Sequence, residues 1–164
     1  MAVNYKEYIG IIQDFPIEGI IYRDIQPLLA NETIFRKAIK DMGNLIQNKP
    51  EYWIALESRG FLFASALSMI YGGGVRLIRK KGKLGNSQLL CVDYGLEYGK
   101  DSFEIAHLSQ TVGGKVVIVD DIYATGGTMQ AAETLCEKIG YEVIDKLCLI
   151  DIGIIKEHEV KCLI

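Results

Sequence analysis

The chain is poor in the residues that build metal centres and cross-linked scaffolds. It has two histidines, His107 and His158, and four cysteines, Cys91, Cys136, Cys148 and Cys162, with no CxxC pair among them. This argues against a structural zinc site. Three of the cysteines lie in apolar runs and read as buried thiols of a reduced, cytoplasmic protein. Proline is also scarce, at 3 in 164 residues. No low-complexity tract or Ser/Pro linker divides the chain, so a single domain over residues 1–164 is expected. No apolar stretch approaches the ~18–20 residues that span a bilayer. The start, MAVNYKEYIG, lacks the basic and apolar regions of a signal peptide. Net charge is only −3, which gives no global reason to expect nucleic acid or an anionic membrane as partner.

What is present is a folded composition, 49% hydrophobic and 24% charged, well away from the disordered range. Tyr5, Tyr8, Ile9 and Ile12 recur with helical period and predict a short N-terminal helix. The stretch DFPIEGIIYRDIQPLL, with two prolines and a glycine, reads as too broken for a regular element. Ile34, Phe35, Ala38, Ile39, Met42, Leu45 and Ile46 predict a helix capped by Asn31. From there strands and helices alternate. YWIAL, VRLI, VVIV and KLCLI are strand candidates, and LLCV and FEIAHL read as strands flanking a long loop. FLFASALSMI and the stripe Met129, Ala132, Leu135, Cys136, Ile139 are helix candidates, the second ending at Gly140. The alternation predicts an α/β fold with a mainly parallel sheet flanked by helices. Ligands in such sheets bind beyond the carboxyl ends of the strands, which brings two loops to the site, ESRG and DDIYATGGT.

The second loop carries the clearest chemistry. In TGGT, Thr125 to Thr128, the glycines let backbone N–H groups turn toward one point, and two hydroxyls and a helix start add donors. That is a nest for one phosphate, although it lacks the GK[ST] of a P-loop. Asp120 and Asp121 stand at its mouth. Two carboxylates about 5 Å apart repel by roughly 3 kcal/mol at an effective dielectric of about 20, so they call for Mg²⁺ or for the O–H donors of a vicinal diol. A sugar phosphate offers both a phosphate and a diol. Arg59 in ESRG suits either a bidentate grip on phosphate or a surface ion pair. The basic run RLIRKKGKL, with Arg76, Arg79, Lys80, Lys81 and Lys83, suits either an anion grip or a solvated face. If its strand persists, Arg76 and Arg79 point to opposite sides.

VVIVDDIYATGGT resembles the phosphoribosyl-pyrophosphate (PRPP) motif of the type I phosphoribosyltransferases. Four further blocks, FPIEGIIYRDIQPLL, ESRGFLFA, IRKKGKL and LEYGKDSFEI, are similar to the adenine branch of that family. The resemblance implies the family's fold, with a base-binding hood over residues 1–30 and a mobile catalytic loop. It implies transfer of a phosphoribosyl group from PRPP to adenine, giving AMP and pyrophosphate in purine salvage, with Mg²⁺ held mainly through PRPP and no direct protein ligand. It implies ribose contacts at Asp120 and Asp121, and 5′-phosphate contacts along Ala124, Thr125, Gly126, Gly127 and Thr128. Arg59, Arg79, Lys80 and Lys83 would draw off pyrophosphate. Adenine would lie against Ile21, Tyr22, Arg23 and Ile122. Glu97 would handle the proton near the purine N7, Tyr98 would close over the site, and Arg59 completes the implied catalytic set. A homodimer is also implied. Taken on residues alone, Tyr22 reads equally as a core aromatic, and Arg23 with Asp24 equally as a structural ion pair. The chain departs from the family pattern at Tyr22, Ser58, Gly85 and Tyr123 and in a short C-terminus. The rival readings are a transferase for hypoxanthine or xanthine, or a non-catalytic regulator on the same fold.

Overall fold

Trp53, Ile54, Ala55 and Leu56 are all buried, so the strand they form, β3 (Tyr52–Leu56), is covered on both faces. That is the signature of a central parallel strand, and the rest of the molecule is arranged around it. In the computed structural model, which describes residues 3–85, 88–96, 99–109 and 113–164, seven strands form one sheet in the order β5-β6-β4-β3-β7-β8-β9. These are β4 (Gly74–Lys80), β5 (Leu89–Leu96), β6 (Gly99–Ala106), β7 (Lys115–Tyr123), β8 (Glu142–Asp151) and β9 (Lys161–Cys162). The run from β4 to β9 across β3 is parallel, while β5 and β6 form an antiparallel pair added at one edge through β4. A separate two-stranded ribbon joins β1 (Gly10–Ile12) to β2 (Tyr22–Asp24).

Helices cover both faces. On one lie α1 (Gln26–Ala30), α2 (Glu32–Asn44) and α3 (Gly60–Tyr71), which share a core with Trp53, Ala55, Val117 and Val119. On the other lies α4 (Gly127–Ile139), packed with Ile54, Leu56, Val116 and Ile118. Strand alternation therefore sorts each strand's side chains into two cores. The unit β3-α3-β4 winds outward one way from the centre and β7-α4-β8 the other, so the crevice between β3 and β7 is a topological switch point, where ligands bind in open α/β sheets.

Several expected elements hold. The helix cap at Asn31 is present, its Oδ1 accepting from Ile34 N at 3.1 Å, and α4 ends at Gly140 in the left-handed region, φ 92°. Others need correction. Tyr5–Tyr8 is a short 3₁₀ turn followed by β1, not a helix through Ile12, because the ribbon partner β2 captures the following backbone. The stretch read as irregular contains β2 and α1, with Pro27 placed in the first turn of α1, where its missing N–H costs nothing. The loop expected between LLCV and FEIAHL is largely strand, paired from Leu89↔Ala106 to Leu96↔Gly99. Of the cysteines, Cys136 and Cys148 are buried, Cys162 is half-buried and Cys91 is exposed, since β5 at the sheet edge turns that thiol outward. Among the described residues no helix is long and apolar enough to cross a membrane.

Candidate functional site

β7 is longer than its apolar run. Pairing with β8 continues through Ile122↔Ile150 and Tyr123↔Asp151, so Asp120 and Asp121 lie within the strand and not in the loop after it. Alternation then separates their surroundings: Asp121 is buried at 6% exposure, while Asp120 is half-buried and lines a cleft. The Asp121 N–H donates to Asp120 Oδ1 at 2.9 Å. Arg59 supplies a shared counter-charge, its Nε 2.7 Å from Asp121 Oδ2. Burial, and then the charge of Asp121, push the Asp120 carboxyl well above the usual carboxylate range. Burial also raises Asp121, against the opposing pull of Arg59.

Arg59 stands between β3 and α3. Its Nη1 donates to the Arg23 carbonyl at 3.0 Å and to the Tyr22 hydroxyl at 3.2 Å, and its guanidinium lies 5.1 Å from the centre of the Tyr22 ring. One side chain thus ties the ribbon to the acid pair. It can reach that far because α3 starts hard against β7: a β-carbon placed on Gly60 would meet Val119 O at 2.6 Å. Tyr22 packs edge-on to Phe15, with centroids 5.2 Å apart. Arg23 and Asp24 do not pair as one reading of the sequence had it. Asp24 Oδ1 accepts from Gln26 N at 2.9 Å and opens α1, while Arg23 Nη1 is buried without a hydrogen-bond partner among the described residues.

The cleft itself encloses about 750 Å³. Ile20, Ile21 and Arg23 line it on the ribbon side, Ile122 and Ala124 on the strand side, and Asp120, Thr125, Gly126 and Thr128 at one end. Its composition is that of a small-molecule site, apolar walls with a few convergent polar groups. Gly126 has φ 82° and caps the start of α4, a conformation that glycine adopts without strain and that can present N–H groups to an anion. Gly127, the first residue of α4, adds a free helix-start N–H.

The basic run is divided by its strand. Arg76 points into the core and donates to the Tyr141 hydroxyl at 2.6 Å, while Arg79 points to the other face, its guanidinium 5.8 Å from the Phe61 ring centre. Sequence reasoning missed the acids that hold this run. Glu57, just ahead of Ser58 and Arg59, accepts from Lys80 N at 2.7 Å and pairs with Arg79 at 3.3 Å and Lys83 at 3.4 Å. Burial pushes the Glu57 carboxyl up, but these donors outweigh it and hold the pKa below the usual value. Glu104, on β6 and 2% exposed, accepts from Lys83 N at 3.1 Å and Leu84 N at 2.9 Å. Lys80 Nζ pairs with Asp101 at 2.8 Å. None of these partners is near the run in sequence, which is why the run read as acid-free. Glu57 stood in the ESRG block itself, and its place at a strand end was the available signal. Glu97 and Tyr98 lie outside the described residues. Among the described residues no three His, Cys, Asp or Glu side chains converge to hold a metal.

The family described as phosphoribosyl transferase domain matches residues 23–163. An adenine phosphoribosyltransferase of Hydrogenovibrio crunogenus is 44% identical over 150 residues, covering 89% of this chain and 84% of the relative. That of Bos taurus is 41% identical, covering 89% and 83%. The solved structure of the Saccharomyces cerevisiae adenine phosphoribosyltransferase, complexed with an imino-altritol bisphosphate and adenine, superimposes with a TM-score of 0.89 at 33% identity, covering 97% of this chain and 96% of that one.

Proposed function

The chain belongs to the phosphoribosyl transferase family, and on that premise we propose that it is an adenine phosphoribosyltransferase, converting adenine and PRPP to AMP and pyrophosphate in cytoplasmic purine salvage. The single observation that carries this reading is the shared cleft: apolar walls, a half-buried acid and a glycine nest face one cavity of about 750 Å³. A planar base, a diol and a phosphate match those three surfaces in order.

In this reading Ile21 and Ile122 flank the purine and backbone groups of Ile21 and Arg23 read its edge, while Tyr22, whose ring packs on Phe15 and Arg59 outside the cleft lining, would turn inward to stack on the bound base. Asp120 and Asp121 accept from the ribose hydroxyls, and Ala124 to Thr128 bind the 5′-phosphate. As the anomeric bond breaks, oxocarbenium character grows next to these carboxylates. Negative charge then collects on the leaving group, where Arg59, Arg79, Lys80 and Lys83 supply counter-charge. Glu97 exchanges the proton at the purine N7 and Tyr98 closes the site against water, which would otherwise hydrolyse PRPP. Mg²⁺ would be held mainly through PRPP, with no direct protein ligand, and would help neutralise the departing pyrophosphate.

A homodimer is part of the proposal. It is supported by an apolar stripe on α3 and its neighbour β4, where Leu62, Met69, Ile70 and Leu77 are 46%, 86%, 45% and 38% exposed. The deciding experiment measures pyrophosphate release with Mg²⁺ and PRPP across a panel of bases. Turnover with adenine alone is expected. Turnover with hypoxanthine or xanthine in its place, or PRPP binding without turnover, would replace the proposal with a transferase for that base or with a regulator.

A further inference from the structure

Tyr123, the last residue of β7, faces away from the cleft. Ile122 lines the cleft while Tyr123 lines a second cavity of about 250 Å³ behind the TGGT turn, together with Thr125, Gly126, Lys146 and His158. The Tyr123 ring is 8% exposed and lies 4.3 Å, centre to centre, from the imidazole of His158. Its other end meets the turn. A side chain begun at Gly126 would strike the Tyr123 hydroxyl at 2.9 Å and its ring carbons at 3.4 Å.

The ring pair, tilted by 44°, is anchored from below. His158 Nε2 is 3.1 Å from Asp151 Oδ2, and Asp151 Oδ1 accepts from Gly153 N at 2.7 Å. Asp151 is also the ladder partner of Tyr123, and the Tyr123 carbonyl accepts from Ile152 N at 3.1 Å. The other imidazole nitrogen, Nδ1, is buried with no hydrogen-bond partner among the described residues. Among the described residues His158 is held by its bond to Asp151 and its ring contact with Tyr123.

We infer that Tyr123 and His158 are positioning residues for the phosphate-binding turn. Asp151 orients the imidazole, the imidazole fixes the Tyr123 ring, and the hydroxyl edge of that ring supports Gly126 on the side opposite the ligand. A nest of N–H groups binds phosphate well only if it is ordered beforehand. Without the support, the left-handed Gly126 has a cavity behind it into which the turn can relax. The inference rests on the reading of this turn as the 5′-phosphate site.

The test is direct binding of ribose 5-phosphate and of PRPP by calorimetry, together with KM and kcat for both substrates, in the full-length protein. Tyr123→Ala is expected to raise Kd and KM for PRPP about 10-fold with adenine KM little changed, the pattern of lost binding at one subsite. Tyr123→Phe, which keeps the ring in place, brings the loss back to about 3-fold. His158→Ala costs about 3- to 5-fold, and the double variant Tyr123→Ala/His158→Ala costs less than the product of the two, because both act through one contact. If Tyr123→Ala does not fold, Tyr123→Phe and His158→Gln carry the comparison. Unchanged affinity for PRPP and ribose 5-phosphate, or equal losses for PRPP and adenine alongside a lowered Tm, would overturn the inference. Wild-type protein that binds ribose 5-phosphate with this order of variants but turns over no adenine would sink the proposed function and leave the inference standing.

Discussion

Asp120 sits half-buried at the end of β7 with Asp121 next to it and Arg59 as their common counter-charge. Its folded pKa lies above its unfolded value, so the native state holds the proton to higher pH. Stability therefore falls as pH rises through the window from about 4, the unfolded value, to the raised folded value, and the full penalty applies above it. Asp120→Asn should remove that penalty, stabilising the fold at pH 7 by roughly 1 kcal/mol, the scale of substitutions that relieve an active site. The gain should vanish near pH 4, and PRPP binding should be lost. Thermal melts at the two pH values and a PRPP titration check this. Glu57 has the opposite sign. Its folded pKa is depressed, so its contribution is present above its unfolded pKa and disappears as pH falls through the folded one. Glu57→Gln should cost about 1 kcal/mol at pH 7, limited by the partial exposure of Arg79 and Lys83, and less near pH 3. Denaturant titrations at both pH values, with KM for pyrophosphate in the reverse reaction, would show it. A cost that persists unchanged at pH 3 would mean that packing, and not charge, is what Glu57 provides.

Among the elements, α3 and β7 carry the site because they touch. Gly60 allows the start of α3 to lie on the β7 backbone at Val119 and Asp120, which is how Arg59 reaches Asp121. In Gly60→Ala the obstacle is a main-chain carbonyl that cannot rotate aside, so helix and strand must part. Overpacking of this kind costs roughly 1–3 kcal/mol, and kcat/KM should fall further than stability alone explains. Urea unfolding and steady-state kinetics on one preparation test it, and full retention of both would show that α3 can shift freely. The elements were unequally legible in the sequence. The amphipathic α2 and α4, with their Asn31 and Gly140 caps, are written in local periodicity and end chemistry. β1, β2 and the ends of β5 to β7 are not, because a strand of mixed polarity exists only where a partner ladder offers bonds. Asp120 to Tyr123 are strand by virtue of β8, which begins nineteen residues beyond Tyr123 at Glu142.

At the level of the molecule, Leu62, Met69 and Ile70 on α3 and Leu77 on the neighbouring β4 are exposed, and grouped apolar exposure is a mark of association sites, which is what the proposed dimer would cover. Met69→Lys, at an 86% exposed position, should move the protein from dimer toward monomer in sedimentation at micromolar concentration without changing its fold by circular dichroism. A wild-type protein that sediments as a monomer would remove the dimer.

The family, the sheet class and the TGGT nest with its two acids lie in contiguous residues, and local backbone chemistry is enough to read them. Tertiary structure alone decided who pairs with whom. It placed Arg59 on Asp121, Glu57 and Glu104 under the basic run, and Tyr123 between His158 and Gly126. These partners are brought together by sheet order, and a chain of one-dimensional pattern holds no term for the distance between a β3 loop and the end of β7. The substitution of tyrosine for the family's usual leucine at position 123 is visible in the sequence, but the imidazole that gives it a purpose lies thirty-five residues further on, across the end of the sheet.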